Sequence, residues 1–165
     1  MKKISIILTL IFSVLIFQNC GGSEEPTKSE KISPRPAAAA ESEPESVVPA
    51  SERITLDDKG VGSITNLVLS EIIDDEMVSR GEALFRTNCS ACHKVDKRFI
   101  GPSPKGIMKR RSPEWIMNMI LDPQKMVEED RCAKDLLIEF NGAAMANQNM
   151  TEDQARDILE FFRTL

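Results

Sequence analysis

Four stretches of the chain place apolar side chains at helical intervals, and no stretch of any length alternates them as a strand would. The first follows Asp74, a helix-capping residue type, and carries Met77, Val78, Gly81, Leu84 and Phe85 on one face. The second opens on Ser112-Pro113, a cap followed by proline at the first helical position, and lines up Trp115, Ile116, Met119 and Ile120 before Asp122-Pro123 stops it. A short third helix is predicted from Lys134 to Phe140, halted by Asn141-Gly142. The fourth begins with Thr151 and Gln154, spaced as a capping box, and carries Ala155, Ile158, Leu159 and Phe162. The pattern predicts an all-α domain. Residues 53–73 hold Gly60, Gly62, Ile64, Leu67, Val68 and Leu69 in neither period and stay unassigned.

The beginning of the chain follows other rules. Lys2 and Lys3 precede an apolar run from Ile4 to Phe17, too short for an ordinary spanning helix and arranged like a secretory signal peptide. Cys20-Gly21-Gly22-Ser23 then resembles a bacterial lipoprotein start, in which Cys20 becomes the lipid-carrying first residue. Phe17-Gln18-Asn19 departs from the usual leucine and small residues of that pattern. Residues 21–52 contain five of the nine prolines, seven glutamates and no aromatic residue. Such a composition buries too little apolar surface to offset the entropy of ordering it. The expected organisation is therefore a signal peptide at 1–19, a lipid-anchored disordered tether at 20–52, and a folded domain at 53–165 with its core at 74–165. As a coil the tether reaches roughly 30 Å, and about 100 Å if fully extended as polyproline II.

The formal net charge is −5, so nothing in the charge balance favours nucleic acid as a partner. The cations are uneven, however. Lys94, Lys97, Arg98, Lys105, Lys109, Arg110 and Arg111 crowd one segment with Asp96 the only acid among them. A run of this kind is either a solvated face or a surface that steers an acidic partner.

Just ahead of that run lies the chemistry. The one histidine of the chain closes Cys89-Ser90-Ala91-Cys92-His93. C-x-x-C-H is the attachment signature of c-type haem: two thiols add to the vinyl groups and the histidine becomes the proximal iron ligand. Such haem is attached outside the cytoplasm in bacteria, so motif and export signal support each other. A zinc site would need another ligand, such as Cys132, and a thioredoxin-like thiol pair would need βαβ patterning, which is absent. With Cys20 assigned to lipid and Cys89 and Cys92 to haem, Cys132 is left as a buried thiol or an intermolecular bridge.

With His93 alone, a second protein ligand has to be something else, and eight methionines compete. Met77, Met117, Met119 and Met126 fall in or beside helices, where core packing is the ordinary role. Met145 sits in the small, polar loop from Asn141 to Asn149 with no packing stripe. Met150 precedes the Thr151 cap, where a residue packs under the helix start. Met145 is the leading candidate and Met150 the next.

On these residues the domain resembles a monohaem class I cytochrome c, over most of 74–165. Gly81, Phe85 and the haem motif match the family's first helix, where the glycine admits the C-terminal helix with Phe161 or Phe162 as partner. Ile100-Gly101-Pro102 matches the following loop, which implies that the Pro102 carbonyl orients His93. Met145 to Glu152 resembles the family's Met-Pro ending, with Ala146 in place of the proline, and implies Met145 on the iron. Arg111-Ser112-Pro113-Glu114-Trp115 resembles one subgroup in which Arg111 and Trp115 approach a haem propionate.

The resemblance implies a small cytochrome c fold of three to five helices around one covalent haem c per chain. It implies an electron carrier rather than an enzyme, acting on no small-molecule substrate and binding no nucleic acid. A quinol-oxidising complex would be the donor, and a terminal reductase or oxidase the acceptor. The expected location is the periplasmic side of a bacterial membrane, held by the N-terminal lipid. The alternative function is an open-haem gas sensor or peroxidase-like enzyme, disfavoured by the lack of a second histidine for distal acid-base work.

Overall fold

The computed structural model describes residues 48–165, so the signal segment, Cys20 and the tether up to residue 47 lie outside the described residues. Among the described residues there are five α-helices, a single 3-10 turn at Ile107–Lys109 and no strand. None of these helices is long and apolar enough to cross a membrane.

Helix α1 (Asp75–Asn88) starts where the sequence says it should, because the Asp74 carboxylate accepts the amides of Glu76 and Met77 at 2.9 and 3.0 Å. Helix α5 (Glu152–Phe162) starts on the complete capping box of Thr151 and Gln154. The two helices pack against each other through Gly81. A β-carbon there would lie 2.0 Å from the carbonyl oxygen of Asp157, so the backbones meet with no side chain between them. Gly81 therefore crosses at Asp157 and Ile158, not at Phe161 or Phe162 as the sequence suggested. Those two rings stand one turn further on, against Phe85, with centroids 5.7 and 5.8 Å away. Arg80 clamps the same crossing with a two-bond fork onto Asp157 at 2.9 and 2.8 Å.

Helix α2 (Pro113–Leu121) is capped by Ser112, whose hydroxyl accepts the Trp115 amide at 3.1 Å. Trp115, Ile116, Met117 and Ile120 are all buried, so this helix forms the centre of the core. Asp122 ends α2 and at once caps α3 (Pro123–Glu129), a helix the sequence reading did not include. Asp-Pro is a stop for one helix and an ideal start for the next. Helix α4 (Arg131–Glu139), capped by Asp130, begins three residues before the expected start.

The unassigned stretch after residue 53 is held by side chains rather than by a backbone ladder. The Asn118 carboxamide accepts the Ile64 amide at 3.0 Å and donates to the carbonyls of Lys59 and Ile64 at 3.0 and 2.9 Å. Buried Ile64 adds on the order of 1.5–3 kcal/mol by leaving water. Order also begins before residue 53. Ala50 is buried, Ser51 donates its amide and hydroxyl to Glu139 at 2.8 and 2.7 Å, and Arg53 pairs with Asp135 at 2.6 Å. The domain thus includes residues 48–52, which composition alone had given to the tether.

Candidate functional site

The haem-attachment motif leaves α1 without a break. Cys89 caps the helix by donating its amide to the Phe85 carbonyl, and the His93 amide donates back to the Cys89 carbonyl at 2.9 Å. This tight turn fixes both thiols and the imidazole from one helix end. The segment behind it returns at once: the Gly101 amide donates to the Cys92 carbonyl at 2.9 Å.

That return positions the histidine. His93 Nδ1 lies 2.7 Å from the Pro102 carbonyl oxygen. A carbonyl only accepts, so Nδ1 carries the hydrogen and Nε2 keeps its lone pair for a metal. Gly101 supports the ring from beneath, since a β-carbon at that position would stand 2.5 Å from His93 Cε1. This was missed from the sequence, although a glycine eight residues past the motif histidine and just before Pro102 was the available signal.

Cys89, Cys92, His93, Pro102 and Met145 all line one apolar cavity together with Phe85, Trp115, Ile116 and Phe162. It holds about 1360 Å³ of atom-free space including its mouth. Its walls are mainly apolar, which suits a large, flat macrocycle with one exposed edge. Met145 is half-buried in its wall, whereas Met150 is absent from the lining and packs on the core. A second methionine, Met119, also reaches the cavity from α2. Burial, with Cys92 close by, pushes the free Cys89 thiol up to about 11, so it stays protonated at neutral pH until it is consumed in a covalent bond.

Arg111 and Trp115 both line the cavity, but their polar atoms differ in availability. The indole N–H of Trp115 is spent on Asp130 at 3.1 Å. The Arg111 guanidinium donates to the carbonyls of Ala50, Arg53 and Arg110, while its buried Nε has no partner. Of the pair, only Arg111 keeps a polar hydrogen without a partner among the described residues. The remaining cations of the basic run divide in the same way. Arg98 stacks 3.9 Å from the Phe140 centroid and pairs with Glu139, and Arg110 donates to the carbonyls of Lys105 and Ser103. Lys97, Lys105 and exposed Phe99 remain on the surface near the motif. Cys132 is a buried thiol without a bridge among the described residues.

Thiols, imidazole, thioether, apolar walls and an unpartnered guanidinium nitrogen fit a haem. Comparison with known proteins points the same way. The family model for cytochrome c matches residues 78–165. A cytochrome c-553-like protein of Synechocystis sp. is 39% identical over 46 residues, which is 27% of this chain and 44% of that protein. The chain thus matches less than half the length of this curated relative. The solved cytochrome c from Rhodothermus marinus is 38% identical, with a TM-score of 0.61 over 70% of this chain and 92% of that one. An engineered form of it, bound to a carbene intermediate, is likewise 38% identical, covering 70% of this chain and 93% of that chain with a TM-score of 0.58.

Proposed function

The chain belongs to the cytochrome c family and carries covalent haem c, and on that footing we propose that it is a one-electron carrier with iron held between His93 and Met145. The observation that supports this most is the convergence of Cys89, Cys92, His93 and Met145 on a single apolar cavity. When bound, the haem supplies an iron that alternates between ferric and ferrous states. Cys89 and Cys92 hold the group in place by thioether bonds. Pro102 fixes the tautomer and plane of His93, which strengthens the imidazole as a donor. The soft Met145 sulfur favours the ferrous state and raises the potential. Phe85, Ile116 and Phe162 keep water from the iron, so the charge change is felt in a medium of low dielectric constant.

In this reading the protein is exported, anchored through lipid on Cys20, and swings on its tether between a quinol-oxidising donor and a terminal reductase or oxidase. Lys97, Lys105 and Phe99 border the motif and suit an acidic partner. Membrane fractionation of Cys20→Ser tests the anchor: undiminished retention in the membrane rejects it.

The ligand assignment is tested by absorption spectra of the holoprotein, Met145→Ala and Met119→Ala. A methionine-to-iron charge-transfer band is expected in the wild type and in Met119→Ala, and its loss in Met145→Ala. Survival of the band in Met145→Ala overturns the assignment. Rapid carbon monoxide binding by the wild-type ferrous protein replaces it with an open-haem sensor or peroxidase-like enzyme.

A further inference from the structure

We propose that the exposed apolar segment 68–73, with the acids around it, docks onto the basic face beside the haem-attachment motif of a second copy, so that the chains associate head to tail. The proposal uses that basic face and none of the iron ligands, so it stands or falls apart from the haem reading. Its apolar half lies before the segment matched by the family model, which begins at 78.

Val68 is 85% exposed and Ile72 80%, with Ile73 beside them also at the surface. A lone exposed apolar side chain is ordinary, but three within six residues make a patch. The segment is fastened with these side chains outward. The Leu67 amide donates to the Glu114 carboxylate at 3.1 Å, the Ser70 carbonyl accepts from Arg163 at 2.7 Å, and the Asp74 amide donates to Glu160 at 3.1 Å. Glu71, Asp75 and Glu76 are exposed around the patch and form no ion pair among the described residues. The cations nearby are already spent, Arg80 on Asp157 and Arg163 on Glu160.

The matching surface lies at the other end of the same helix. Helix α1 is 14 residues long, about 21 Å, with the patch before its first turn and the haem-attachment motif after its last. There Phe99 and Ile100 are half exposed, and Lys94 Nζ stands 5.1 Å from the Phe99 centroid. Lys97 and Lys105 are exposed and form no ion pair among the described residues, with Asp96 the one acid of this face. Each end thus has an apolar centre and a charged rim, and the two rims are of opposite sign, as in a small docking interface. Neither end complements itself, because acid would face acid or cation face cation. The helix between them keeps the two ends of one copy apart. What fits each end is the other end of another copy, a heterologous contact that adds copies in a row. A copy seated in this way covers Phe99, Lys97 and Lys105, and so withdraws that face from an acidic redox partner.

The test is sedimentation velocity on the exported holoprotein carrying Cys20→Ser, so that no lipid contributes, at concentrations up to about 1 mM, the range of a weak contact. This parent protein is expected to form species that grow beyond dimers with concentration and shrink as salt screens the rims. Val68→Ser with Ile72→Ser blocks one end, and Lys97→Glu with Lys105→Glu blocks the other. Each variant alone keeps a single working end and should self-associate at least about tenfold more weakly than the parent. Mixed in equal amounts, the two variants should form dimers and nothing larger, because each supplies the end that the other lacks. A monomeric parent overturns the proposal. So does undiminished self-association of either variant, which marks a symmetric contact, or a mixture that stays monomeric. A monomeric parent that binds anionic phospholipid vesicles, and loses them with Val68→Ser and Ile72→Ser, assigns the patch to a membrane instead. All four positions are exposed, and circular dichroism checks the fold of each variant. If the serine variant does not fold, Glu71→Lys with Asp75→Lys takes its place under the same outcomes. A colourless parent bears on the haem reading and leaves this contact to the same measurement, followed by protein absorbance.

Discussion

Gly101→Ala is the sharpest probe of how this fold supports the His93 imidazole. The added methyl would stand 2.5 Å from His93 Cε1, where ordinary van der Waals contact begins at 3.4 Å. The imidazole must therefore retreat by about 0.9 Å, since it is the side chain and not the tightly bonded Gly101 backbone that can yield. A movement of that size takes Nδ1 from 2.7 Å to beyond hydrogen-bond reach of the Pro102 carbonyl. Overpacking costs about 1–3 kcal/mol and the lost bond about 0.5–1.5 kcal/mol. The smaller unfolded-state entropy of alanine returns about 0.4–1 kcal/mol. The net is a destabilisation of about 2 kcal/mol, or roughly 8 °C in the melting temperature of a domain this size. Thermal unfolding of the holoprotein by circular dichroism measures it, and the absorption spectrum reports the iron. The thioether bonds of Cys89 and Cys92 keep the variant coloured, so altered ligation is seen apart from loss of haem. A variant that melts within about 2 °C of wild type with an unaltered spectrum refutes the argument.

Two further predictions concern the frame around the site. Gly81→Ala should destabilise by at least about 2 kcal/mol despite alanine's better helix propensity, because its methyl meets the Asp157 backbone at 2.0 Å. Ala83→Gly on the exposed face of the same helix should cost only about 1 kcal/mol, and equal melting shifts for the two would discredit the close crossing. Glu160 is 1% exposed, and burial alone would raise its carboxyl, but the Arg163 and Arg156 guanidinium groups and the Asp74 amide outweigh that and hold it below the ordinary glutamate range. A carboxyl lowered on folding stabilises above its unfolded value and loses that contribution as pH falls through its folded one. Stability should therefore decline with acid below about pH 4.5, and Glu160→Gln should be less stable at neutral pH with a flatter acid limb. Denaturant titrations from pH 7 to pH 2 decide it, and an unaltered slope in the variant rejects this role for Glu160.

What could be read from the sequence was local. Asp74, Ser112 and the Thr151–Gln154 box cap helices through bonds spanning only two or three residues, and each capped the helix expected of it. The haem-attachment motif is equally compact, and its covalent haem is that of the family. Less legible were roles decided across the chain. Asp122 stops one helix and starts another, a double use invisible to a rule that treats Asp-Pro as an end. Residues 57–67 have no periodicity because their partners are the side chains of Asn118, Met126 and Glu114. Trp115 has its indole N–H bound by Asp130, fifteen residues away, and Arg98 pairs with Glu139, forty-one residues away. Chain composition placed the tether's end at residue 52, since no local signal shows that Ala50 is covered by the folded domain.

The loop bearing Met145 has one more consequence. From Ala144 to Met150 its only hydrogen bonds among the described residues are internal, Asn149 to Asn147 and Gln148 to Ala146. Apart from Met150, which packs on the core, its tertiary fastening is Met145 itself, and where that sulfur ligates the iron the strength of one bond and the order of residues 144–149 become a single equilibrium. Breaking that bond releases chain entropy, so heating should detach the sulfur well before the helices melt. The haem would then report a local opening by its colour, at temperatures where the rest of the domain is still intact.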